Sequence, residues 1–127
     1  MTSESISLYS FPRTLRLNTP DSYRNVFAKP SKFYIKGLTV LYRKNDLAHG
    51  RLGLAISKKY AKHAVVRNRL RRLIRESFRL HAHLLNGYDI VVLANRKIIL
   101  TEINSWLEEL PLKWQSLSKR QNSSQSL

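Results

Sequence analysis

From about Ala64 to Leu85 the residues Val66, Leu70, Leu73, Ile74, Ser77 and Leu80 gather on one side at helical spacing, and this segment restricts the fold more than any other. Its far side carries Arg67, Asn68, Arg71, Arg72, Arg75 and Arg79. A helix so divided must lay its stripe on another element and keep its cations outside. Arg67–Arg71, Arg71–Arg75 and Arg75–Arg79 are like-charge pairs four residues apart, each unfavourable by about 0.2–0.5 kcal/mol in an isolated helix. Arg72 with Glu76 is the one compensating pair expected. An ordinary solvated face mixes its signs. Self-repulsion on the order of 1 kcal/mol therefore points to an outside anion, and a phosphate backbone fits best.

The rest of the composition agrees. Lys and Arg number 23 against 8 Asp and Glu, a formal charge of +15, which makes nucleic acid the first partner to consider. There is no cysteine, which excludes disulfides, thiolate zinc sites and cysteine nucleophiles, and is compatible with the cytoplasm. Neither a signal peptide nor a membrane span is expected, because the longest apolar run, Ile90 to Ala94, is far too short.

The remaining elements follow from local signals. Thr19 before Pro20 reads as an N-cap with proline at the first helical position, opening a short helix made amphipathic by Tyr23, Val26 and Phe27 and stopped by Pro30. Strands are expected at Lys32–Ile35, Leu38–Arg43 and Arg51–Ser57, arranged as a meander, with Gly37 in the first turn. Asn86-Gly87 ends the arginine helix, and Tyr88 to Ala94 reads as a buried central strand. A last helix opens at Thr101 with the seam Ile103, Leu107, Leu110, Trp114 and Leu117, and Pro111 is expected to kink or split it. The expected fold is an α+β two-layer sandwich, a four-stranded sheet with about three helices in the order α-β-β-β-α-β-α. A single RNA-binding domain spans residues 11–115, between a flexible N-terminus (1–10) and a flexible tail (116–127).

Catalytic chemistry of the chain's own is not expected. Its acids, Glu4, Asp21, Asp46, Glu76, Asp89, Glu102, Glu108 and Glu109, are dispersed rather than clustered as a two-metal nuclease requires. His81 and His83 point to different sides of a helix, His49 and His63 lie in loops, and no nucleotide-type glycine loop occurs, so neither zinc nor ATP is implied. Ser57, Lys58, Lys59, Lys62 and His63 lead into the arginine helix and form a second candidate phosphate site with its first amides. Tyr23 and Phe27 fit either a base-stacking surface or the core, and the same holds for Tyr42.

Arg51-Leu52-Gly53-Leu54-Ala55-Ile56-Ser57-Lys58-Lys59, followed by the Arg67-Asn68-Arg69 motif and Leu70 to Glu76, resembles the signature of the bacterial ribonuclease P protein component. The likeness runs from Phe11-Pro12-Arg13 to Trp114. It departs at Pro30, Tyr60-Ala61 and Pro111. The resemblance implies a cytoplasmic ribonucleoprotein subunit whose partners are a catalytic RNA and precursor tRNA, with no further protein and no membrane required. It implies that Ser57, Lys58, Lys59, Lys62, Arg67, Asn68, Arg69, Arg71, Arg72 and Arg75 bind the catalytic RNA, and that Tyr23, Phe27 and Tyr42 line a cleft for the 5′ leader. It further implies that Mg2+ serves the RNA, that the protein binds no cofactor alone, and that the sheet has a left-handed crossover, against the usual rule. The alternative is a basic structural RNA-binding protein of the ribosome or nucleoid.

Overall fold

The structure, a computed structural model, describes residues 15–126. Helix α1 (Pro20–Ala28) is followed by strands β1 (Ser31–Ile35), β2 (Leu38–Lys44) and β3 (Arg51–Ala55), then helix α2 (Ala64–Leu80), strand β4 (Tyr88–Ala94) and helix α3 (Trp106–Ser126). One-turn and two-turn 3-10 segments, Ala82–Leu84 and Leu100–Ser105, precede β4 and α3. The expected order α-β-β-β-α-β-α holds. The start of α1 is built as its sequence implies, with Thr19 Oγ1 accepting the Ser22 amide at 3.2 Å and Pro20 at the first helical position.

The meander does not form. Sheet order is β1-β2-β4-β3: β4 inserts between β2, to which it is antiparallel, and β3, to which it is parallel. Hydrophobicity decides this, because β4 is buried along almost its whole length and belongs at the centre. Gly37, at φ +78°, makes the tight turn from β1 to β2 in a conformation that a side chain would strain.

Residues that lie side by side in the ladder share a face. Leu38, Val40, Tyr42, Leu52, Ile90, Val92 and Ala94 meet α2 and α3 in the main core, together with Leu70, Ile74, Phe78, Trp106, Leu110 and Trp114. The Phe78 and Trp114 rings stand perpendicular at 6.1 Å, and Trp114 Nε1 donates to Ser77 Oγ at 3.0 Å. That bond explains a serine within the apolar stripe, since a buried indole N–H needs an acceptor. The opposite face carries a smaller cluster, Leu17, Val26, Leu41 and Val91, over which α1 lies.

Several helical expectations are corrected. Helix α2 ends at Leu80, not Leu85, and Leu80 is 57% exposed while Phe78 is fully buried; the stripe drifts round the helix because 3.6 residues make a turn. The last helix begins as a 3-10 segment and turns α-helical at Trp106, so Trp106 is buried and Leu107 is exposed. Pro111 does not split α3, which continues to Ser126. Leu117 packs into the core and the backbone beyond it stays helical, so packing extends past residue 115. The expectation for residues 1–10, and the Phe11-Pro12-Arg13 part of the resemblance, lie outside the described residues.

Candidate RNA interface

With Leu70, Ile74, Ser77 and Phe78 buried, α2 presents a crest with two flanks. Arg67, Arg71 and Arg75 occupy the flank toward β3 and α1, Asn68 and Arg72 the crest, and Arg69 the flank toward α3. Arg75 is exposed overall, with its guanidinium partly desolvated, and stands near Arg16 and Arg71. Its guanidinium is held below its ordinary pKa, first by burial and then by those two cations. Arg16 reaches this place because its backbone bridges in parallel to Leu52 at the β3 edge. Arginines from two chain segments thus contribute to one positive field, which an anion would relieve.

Two arginines have structural duties as well. Arg67 folds back, and its Nη1 donates to the carbonyls of Ala61 (3.0 Å) and Lys62 (2.8 Å), locking the approach to α2. It therefore does not simply project outward as its place on the helix suggests. Arg69 Nη2 donates to Asn104 Oδ1 at 3.1 Å, tying α2 to the segment before α3. Glu76 pairs with Arg79, not with Arg72. Among the described residues the ion pairs engage Arg24, Arg51, Arg79 and Arg96, none of them from the stretch Arg67 to Arg75.

Ser57, Lys58, Lys59 and Lys62 are exposed in the turn before α2. The Ser57 carbonyl accepts the Tyr60 and Ala61 amides, which fixes that turn. Lys59, Lys62, His63 and Lys97 then line a cavity of about 340 Å³ beside Tyr60 and Val66. Nothing local in the sequence ties Lys97, which follows β4, to the start of α2.

On the α1 side, Phe27 is 45% exposed, so it is not a core residue. Tyr23 is half-buried against the smaller cluster. Its ring lies over Gly53: a Cβ at that position would come within 2.7 Å of two ring carbons, Cε1 and Cζ, and of the phenolic oxygen. Any side chain at position 53 would displace the Tyr23 ring. Arg43 Nη1 donates to the Asn25 carbonyl at 2.6 Å and fastens α1 to β2. Tyr42 does not join this group. It points to the opposite face, is 8% exposed, and packs between Phe33 and Tyr88 with ring centroids 5.8 and 5.9 Å away. Strand alternation forces this, because Leu38 and Val40 on the same face are core. Tyr34, 60% exposed on edge strand β1, is the aromatic that the sequence reading overlooked, although alternation with the inward Phe33 and Ile35 signals it.

Among the described residues, four acids are each held by an arginine: Asp21 by Arg24, Asp89 by Arg51 at 2.9 and 2.7 Å, Glu76 by Arg79 and Glu102 by Arg96. Asn45 Nδ2 also donates to Asp89 Oδ1 at 2.7 Å. Among the described residues no three His, Asp or Glu side chains converge as metal ligands, and no helix is long and apolar enough to cross a membrane.

Residues 11–118 match the sequence family described as Ribonuclease P. A Haemophilus influenzae protein named Ribonuclease P protein component is 44% identical over 106 residues, covering 84% of this chain and 89% of that one. A Yersinia pestis protein of the same name is 43% identical over 105 residues, covering 83% and 88%. Among solved structures, the RNase P protein from Thermotoga maritima superposes with a TM-score of 0.67 at 29% identity, covering 80% of this chain and 96% of that one. The RNase P protein of Staphylococcus aureus gives 0.65 at 29% identity, with 78% and 93% covered. An arginine-flanked helix after a Ser-Lys-Lys turn, the mixed four-stranded sheet and these matches agree, and the chain belongs to the ribonuclease P protein family.

Proposed function

We propose that this chain is the protein subunit of a ribonuclease P ribonucleoprotein, binding a catalytic RNA and precursor tRNA and promoting endonucleolytic removal of the 5′ leader. Family membership disfavours a structural ribosomal or nucleoid role. The division of labour follows the two sides of α2's inner flank. Arg71 and Arg75, with Arg16, Asn68, Arg72 and the lysines before α2, hold phosphates of the catalytic RNA; guanidinium forks suit the irregular backbone of folded RNA. Tyr23 and Phe27 stack on leader bases, which tolerates varied leader sequence. The observation that carries this reading is that, among the described residues, no ion pair engages the stretch Arg67 to Arg75, while on the neighbouring strand β3 the Tyr23 ring lies over Gly53.

The protein contributes binding rather than bond cleavage. Hydrolysis and its Mg2+ belong to the RNA; that Asp21, Glu76, Asp89 and Glu102 are each already held by an arginine supports that assignment. The work is done in the cytoplasm, with no further protein partner. The test is reconstitution: the protein alone leaves precursor tRNA intact, whereas with its cognate RNA it restores leader removal at a magnesium concentration where the RNA alone is slow. Cleavage by RNA-free protein would overturn the assignment.

A further inference from the structure

The flank of α2 toward α3 borders a groove that shares Asn68 and Arg72 with the phosphate-holding surface but whose apolar floor the function above does not use. Its volume is about 690 Å³, its floor is Leu73, Leu80, Leu107 and Pro111, and Arg69 and Arg72 stand on its wall. Leu80 and Leu107 are 57% and 59% exposed, an unusual place for two leucines facing each other across a helix pair. The groove's acid, Glu76, is engaged by Arg79, so its electrostatic character is set by the arginines. Asn68 and Asn104 lie at its edge with amides able to meet polar edges, and the Arg69–Asn104 hydrogen bond holds the two walls together.

We infer that this groove docks an unpaired nucleobase of the catalytic RNA, with the base on the leucine floor against a guanidinium plane and its phosphate on the Arg72 side. The inference rests on the reading of α2 as an RNA-binding helix. Charge complementarity favours a polyanion over another copy of this strongly basic chain. Continuity favours RNA, because Asn68 and Arg72 on the crest line the groove, so a strand held at Arg71 and Arg75 reaches it by crossing one helix. Arginine planes and apolar side chains are the surfaces on which proteins receive splayed RNA bases.

Base docking of this kind has a distinctive signature. Leu80→Ser with Leu107→Ser should weaken binding of the catalytic RNA by about five-fold or more at fixed salt while leaving the salt dependence unchanged, because no phosphate contact is lost. Leu112→Ser, also on α3 and exposed but outside the groove, should change nothing. The chain has no cysteine, so Leu107→Cys carries a photo-crosslinker at one site only. The expected adduct is to a single-stranded nucleotide of the catalytic RNA in the reconstituted holoenzyme. Unchanged affinity in the double variant, or crosslinks confined to residues 1–14, to a second copy or to precursor tRNA, would overturn the inference. If Arg71→Ala also left affinity and salt slope unchanged, the broader reading of α2 would fall with it; a loss there alone would confine the failure to the groove.

Discussion

Phe78 and Phe27 sit on helices packed against opposite faces of one sheet; the first is fully buried and the second 45% exposed. Around Phe78 the face is closed by α2 and α3, with two buried tryptophans and a continuous apolar layer. Around Phe27 a nine-residue helix covers only part of the sheet, four buried residues form the cluster, and polar groups do much of the fastening. Arg43 reaches the Asn25 carbonyl, and Arg51 and Asn45 both hold Asp89. The same strands thus support a dry face that stabilises the fold and a partly open face on which an aromatic ring stays available to a ligand. Burial and function are divided by strand alternation.

The largest expected effect breaks the dry face. Phe78→Ala should cost about 3–5 kcal/mol in urea unfolding, with every RNA activity declining together. A loss below about 1 kcal/mol would mean that the two faces are not energetically distinct. Next is the polar fastening of the open face: Asp89→Asn should cost about 1–3 kcal/mol, because Arg51 keeps a partly buried charge without its carboxylate. The hydrogen bonds that Arg51 donates to Asp89 hold its guanidinium above its ordinary pKa, ahead of the burial that opposes it. An unaltered urea midpoint would show that the ion pair is dispensable. A smaller change is expected for Arg71→Ala, which should leave unfolding untouched and reduce the slope of log affinity for the catalytic RNA against log salt by about one. If the slope holds, Arg71 lies on solvated surface.

Much of this division was legible before any coordinates. Thr19-Pro20 marked the start of α1, and Tyr88–Ala94 appeared as the central strand with its observed limits. What could not be read was long-range. Nothing in the local pattern says that β4 enters between β2 and β3, that Arg16 comes beside Arg75, or that Lys97 joins the lysines before α2. Side-chain reach was equally hidden, since Arg67 and Arg69 have enough length to turn back on carbonyl and amide groups that helical position alone does not reveal. Tyr42, which its residue type leaves open between a base-stacking surface and the core, lies in the core, and period-two alternation with Val40 sets its inward direction.

One ratio decides whether the open face receives the leader while α2 receives the catalytic RNA. Phe27→Ala holoenzyme should bind precursor tRNA more weakly by about 1–3 kcal/mol, with mature tRNA and catalytic RNA affinities nearly constant and thermal unfolding little changed. The precursor-to-mature affinity ratio therefore collapses in this variant and stays intact in Arg71→Ala. An unchanged ratio in Phe27→Ala, or equal weakening of precursor and mature tRNA, would contradict the account.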